Sequence, residues 1–69
     1  MDAVLEVVVN GERAKTRART LAELLIELGY GEAKVATARN GDFIPFRKRD
    51  TVELSGGDTI EIVSPRQGG

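Results

Sequence analysis

The sequence predicts an α+β fold: a mixed sheet of four to five strands with one main helix packed across one face. Three observations predict it. A β-branched run near the start closes on Asn10-Gly11, one amphipathic stripe follows a helix-capping signal, and a cleanly alternating segment comes just before the end. A hairpin followed by a single helix has a simple solution. The helix crosses the sheet, and the later strands join it beside the first.

Each element has a local cause. Residues 3–9 (Ala-Val-Leu-Glu-Val-Val-Val) are rich in β-branched side chains, and both alternating sets are apolar apart from Glu6, as suits a central strand. Asn10-Gly11 is the favoured pair for a type I′ hairpin turn, because both positions tolerate positive φ. Residues 12–18 form the return strand, and their charge suits an edge that must resist pairing with other chains. Thr20 with Glu23 makes a capping box. Leu21, Leu24, Leu25 and Leu28 then recur at i, i+3, i+4 and i+7, one apolar stripe of a short helix that Gly29 ends as C′. Residues 34–39 are a third strand. Asn40-Gly41 is a second hairpin turn, and Phe43-Ile44 is a short fourth strand stopped by Pro45. Residues 46–54 lack periodicity and read as an irregular crossover with a turn of helix. Ser55-Gly56-Gly57-Asp58 is a turn, and residues 59–63 (Thr-Ile-Glu-Ile-Val) alternate as the last strand. That strand and the first are the most apolar segments, so they are expected side by side in the centre. Residues 1–63 then make the domain, and residues 64–69 a flexible, polar Gly-Gly tail.

Composition narrows the chemistry. Sixty-nine residues allow one domain. With no Cys and no His, neither disulfides nor the usual zinc ligands are available, and the core must be aliphatic. Ten basic side chains against eleven acidic ones lack the basic excess of a nucleic-acid binder. No apolar run is long enough to span a membrane. Met1-Asp2 leads straight into the strand-like run without signal-peptide character, so the expected location is cytoplasmic.

The feature that carries chemistry is Gly68-Gly69. Glycine has no Cβ, so a Gly-Gly end is the thinnest peptide that can thread a narrow active-site channel, and it leaves its carboxylate open to attack. A carboxylate is a poor electrophile until an enzyme converts it to an acyl-adenylate. Taken alone, such an end is also what any loose terminus with two glycines looks like.

The chain resembles the thiamine-biosynthesis sulfur carrier family, ThiS, over essentially its whole length. The matching segments are Val9-Asn10-Gly11-Glu12, Thr20-Leu21-Ala22-Glu23-Leu24-Leu25, Val35-Ala36, Asn40-Gly41-Asp42-Phe43-Ile44-Pro45, and above all the stretch from Gly57 to Gly69. The chain departs from the family pattern at Phe46, where an Arg is usual, and at Arg39, where an aliphatic residue is usual; both positions are expected on the surface or rim.

The resemblance implies a ubiquitin-like, β-grasp fold and a carrier that is not itself an enzyme. By that resemblance an E1-like (ThiF-like) adenylating enzyme uses ATP and Mg2+ to activate Gly69. A cysteine desulfurase or rhodanese-type donor then supplies the sulfur, and a ThiG-like thiazole synthase receives it from the Gly69 thiocarboxylate. By the same resemblance the chain itself would bind no cofactor or metal. Gly68 and Gln67 would sit in the partner's channel, with Arg66 pairing an acidic group there or remaining solvated. Strand alternation puts Val8 and Val63 on the face away from the helix, where with Ile44 they are expected to form an apolar docking patch. Arg47-Lys48-Arg49 is a tight basic run that either steers an acidic partner or, as the favoured reading, forms a solvated loop. Rival readings are a sulfur carrier for molybdopterin, cysteine or tRNA thiolation, a ubiquitin-like protein modifier, and a β-grasp binding module with no terminal chemistry.

Overall fold

A computed structural model of the chain describes residues 3–31 and 33–64. Strand β1 (Leu5–Val9) and strand β2 (Glu12–Thr16) form the first hairpin, followed by helix α1 (Leu21–Glu27). Strand β3 (Ala36–Arg39) and strand β4 (Asp42–Ile44) form the second hairpin. A 3-10 turn at Phe46–Lys48 leads toward strand β5 (Thr59–Val63). The five strands lie in the order β2-β1-β5-β3-β4, with β1 and β5 parallel and adjacent at the centre. This is the β-grasp arrangement, and the sheet has five strands.

Both Asn-Gly pairs adopt the backbone their turn type demands. Asn10 and Gly11 have φ of 51° and 86°, and Asn40 and Gly41 have 52° and 88°. These are successive positive values at the two central positions, as a type I′ turn requires. The helix begins where its cap predicts. The Thr20 side chain accepts a hydrogen bond from the Glu23 N–H at 3.2 Å, while the Glu23 carboxylate reaches back to the Arg19 N–H at 2.7 Å, one residue beyond the cap itself. Gly29, at φ 93°, follows the C-cap Leu28.

The core lies between α1 and one face of the sheet. Leu21, Leu24 and Leu25 pack with Ile60, Ile62, Ala18 and Leu54, and Leu5, Val9, Tyr30, Val35, Ile44 and Val52 close around them. Leu28, expected on the same stripe, is exposed, because the helix ends at Glu27 and Leu28 has turned into the cap. Two of the three aromatics, Phe43 and Phe46, lie outside the core, which is almost wholly aliphatic.

Three strands are shorter than the sequence predicts. β1 starts at Leu5, opposite Thr16, where its partner stops. β2 stops at Thr16 because its hydroxyl turns the chain: it accepts from the Ala18 N–H at 2.9 Å and donates to the Glu27 carboxylate. β3 starts at Ala36 because the Val35 carbonyl accepts from a guanidinium (Arg49) at 2.5 Å. Of the tail, Ser64 is described; Arg66, Gln67, Gly68 and Gly69 lie outside the described residues.

Candidate functional site

The candidate site is the end of β5, which leads into residues 64–69, together with the sheet surface around it. β5 is held from both sides. β1 pairs with it at Val8↔Thr59 and Val9↔Ile60, and β3 pairs along its whole length from Ala36↔Val63 to Arg39↔Ile60. The β1 ladder would leave Ile62 unpaired, and the first turn supplies what is missing. The Asn10 carboxamide accepts from the Ile62 N–H at 2.8 Å and donates to the Ile62 carbonyl at 3.1 Å, while the Asn10 backbone N–H donates to the Ile60 carbonyl at 2.9 Å. Asn10 thus acts as one more strand residue. The second turn does the same at the other end: the Asn40 carboxamide accepts from the Thr59 N–H at 2.9 Å, and its backbone N–H donates to the Thr59 carbonyl at 2.7 Å.

Asp58 anchors the start of β5. It is only 5% exposed, and its carboxylate accepts from the Ser55 N–H at 2.8 Å, Asn40 Nδ2 at 3.0 Å and Arg39 Nε at 3.0 Å. Burial by itself pushes this carboxyl up. The hydrogen bonds from Ser55, Asn40 and Arg39, with the charge of Arg39, outweigh it and hold the group below its ordinary range. Arg39, expected at the rim, is therefore half buried in an ion pair that orders the root of β5.

The register settles which residues share the open face. Val63 pairs with Ala36, Glu61 with Ala38, and Ala38 with Phe43. Because Ile60 and Ile62 are buried beneath α1, the set Glu61, Val63, Ala36, Ala38 and Phe43 lies on the opposite surface. Val8, paired with Thr59, joins it and is half buried. Val63 is 62% exposed and Phe43 68%. Ile44 does not belong to this face. It pairs with Thr37, which pairs with Ile62, and it packs against the core. The expected patch is corrected accordingly: adjacent residues on β4 point to opposite sides, and Phe43 stands where Ile44 was expected. The alternation of a three-residue strand was too short to assign a face. The cross-strand register assigns it.

The basic run is also corrected in part. Arg47 and Lys48 are exposed, but Arg49 is only 5% exposed. Its Nε donates to Thr37 Oγ1 at 3.1 Å and its Nη2 to the Val35 carbonyl, and its guanidinium stands 5.3 Å over the Phe46 ring. It ties the 3-10 turn to β3. Three adjacent cations carry no signal that separates the buried one from its neighbours.

Among the described residues, no group of acidic side chains is placed to hold a metal ion, and no helix is long and apolar enough to cross a membrane. In this region a central strand, paired on both sides, ends at Val63 beside an exposed apolar surface.

Known proteins place this arrangement. The chain is 38% identical over 66 residues to a protein named thiazole synthase from Paramagnetospirillum magneticum, in a region covering 94% of this chain and 20% of that protein. The chain thus spans about a fifth of that relative's length. The crystal structure of the thiamine biosynthesis protein ThiS from Geobacter metallireducens is similar, with a TM-score of 0.78 at 26% identity, covering 94% of this chain and 100% of that one. The model of the ThiS family matches residues 4–69, which takes in the hairpins, the helix, the central last strand and both terminal glycines, and this chain belongs to the ThiS family.

Proposed function

We propose that this chain is a cytoplasmic sulfur carrier for the thiazole branch of thiamine biosynthesis, a co-substrate of other enzymes and not a catalyst. The observation that carries the reading is the family match running through to Gly69. The central position of β5, which leads directly into that segment, supports it. The sequence has no Cys and no His, which agrees with a sulfur carried on the Gly69 carboxyl as the family resemblance implies.

In the proposed cycle an E1-like, ThiF-like enzyme joins the Gly69 carboxylate to AMP, using ATP and Mg2+ and releasing pyrophosphate. The terminal sulfur of a persulfide, from a cysteine desulfurase or a rhodanese-type donor, attacks the acyl carbon, and AMP leaves with the bonding electron pair. A thiol then reduces the remaining sulfur–sulfur bond and frees the Gly69 thiocarboxylate. This group is more nucleophilic than a carboxylate and passes its sulfur to a ThiG-like thiazole synthase. A protein carrying that name contains a region like this chain within a longer polypeptide, which supports the choice of acceptor. Gly68 and Gln67 occupy the activating enzyme's channel, where absence of a Cβ at Gly68 keeps the peptide slim. Arg66 meets an acidic group at its mouth. Val8, Phe43 and Val63 dock the sheet.

The test is intact mass spectrometry of the chain after incubation with an adenylating enzyme, ATP, Mg2+ and a persulfide donor. The expected product gains the mass of one sulfur-for-oxygen exchange and loses it again on incubation with thiazole synthase and its substrates. Isopeptide adducts on other proteins, or a Gly69-deleted chain that still supports thiazole formation, would refute the reading.

A further inference from the structure

Beside the end of β5 lies a groove of about 660 Å³. Val35, Ala36, Val63 and Phe46 give it apolar walls, and Lys34 and Arg49 give it two cations. Phe46 is 68% exposed although it lies against the Arg49 guanidinium. Arg49 is the unusual group. A guanidinium withdrawn from water is costly unless it is paired. Here Nε and Nη2 bond a hydroxyl and a carbonyl, both neutral, and among the described residues no carboxylate pairs with it. Among the described residues Nη1 makes no hydrogen bond, and Arg49 is one of the residues lining the groove. The chain as a whole has no basic excess, so two cations beside an apolar wall are a local feature of this groove.

We infer that this groove is a specificity contact for the enzyme that takes up Gly69, and that its occupant is a segment of that enzyme carrying a carboxylate next to an aliphatic or aromatic side chain. The inference rests on the carrier reading above. The carboxylate completes the Arg49 fork with Lys34 beside it, and the apolar neighbour lies between Phe46 and Val63. Charge complementarity selects an acid, since a guanidinium bonds an ionised carboxylate more strongly than the neutral hydroxyl and carbonyl it bonds among the described residues. Position selects the enzyme: Val63, one wall of the groove, is the last residue of β5, so a protein that receives the chain's end passes over this surface. Arginine and aromatic side chains in partly dry pockets are also where binding energy concentrates.

The test follows the full-length chain, 15N-labelled, as the adenylating enzyme is titrated in. The Arg49 Nε–Hε signal and the amides of Val35, Ala36 and Val63 are expected to shift or broaden. Lys34→Glu and Phe46→Ala change exposed side chains and keep the Arg49 bonds to β3. Each is expected to weaken binding roughly tenfold, and Lys34→Glu also flattens its salt dependence. If the enzyme binds while these signals stay still and both variants bind like the parent, the inference is wrong. The same holds if the signals move when the chain alone is concentrated, which would make a second copy the occupant. Intact mass separates the two failures. A chain that gains its thiocarboxylate with a silent groove overturns this inference alone, and a chain that is never loaded overturns the carrier reading and this inference with it.

Discussion

Asp58 has a charge that is nearly closed off from water, and it remains favourable only because three donors converge on it. Its pKa in the fold lies below the value it has in the unfolded chain, so the unfolded state takes up the proton first as pH falls. Its contribution to stability is therefore complete above the unfolded carboxyl value of about 3.9 and is lost as pH drops through the lower, folded value. Asp58→Asn removes the charge and one acceptor. It is expected to cost about 2 kcal/mol at neutral pH, the range for a hydrogen bond to a charged group. Urea unfolding of parent and variant should show this gap at neutral pH and a smaller one in strong acid. An equal gap at both would mean that the carboxylate charge contributes nothing. Arg49 belongs to the same scale. Arg49→Lys keeps the charge but not the planar fork that serves Thr37 and the Val35 carbonyl together, so it is expected to destabilise by roughly 1–2 kcal/mol in the same measurement.

At the scale of elements, both Asn-Gly pairs do two jobs, and the sequence discloses only one. The turn itself is legible because it depends on two neighbouring residues that tolerate positive φ. The second job is not. Asn10 bonds Ile62, fifty-two positions away, and Asn40 bonds Thr59 and Asp58, and nothing local foretells a partner that only the sheet order brings near. The same limit explains the shortened β3, whose Val35 carbonyl is claimed by Arg49 from the crossover. The helix, by contrast, was readable at both ends, because its cap and its C′ glycine lie within a turn of it. Glycine separates the two jobs of the asparagines, since it keeps the turn and deletes the carboxamide. Asn10→Gly is expected to speed hydrogen exchange at the Ile62 amide, and Asn40→Gly at the Thr59 amide. Each should cost about 1 kcal/mol in global stability. Exchange that rises equally at both amides in both variants would show general loosening in place of two separate stitches.

At the scale of the whole molecule, the parallel pairing of β1 with β5 determines what the surface can present. It buries Val7, Ile60 and Ile62 beneath the helix, and so commits Val8 and Val63 to the other side. Those two positions were legible from alternation once the central pair was assumed, whereas the fourth strand was too short to show which of Phe43 and Ile44 faced out. The correction makes a sharp prediction, because the two residues are chain neighbours with opposite surroundings. Ile44→Asp places a charge against the core and is expected to unfold the domain or cost it more than about 3 kcal/mol. Phe43→Asp and Val63→Asp change side chains already mostly in water, and are expected to shift stability by no more than about 0.5 kcal/mol. If the open face docks the activating enzyme, those two variants should nonetheless raise its KM for the carrier about tenfold while kcat holds, since docking contacts are made before and during the reaction alike. Thermal unfolding and adenylation kinetics on the same three proteins decide it: a well-folded Ile44→Asp would contradict the register of β4, and parent-like kinetics in both Phe43→Asp and Val63→Asp would remove this face from the encounter.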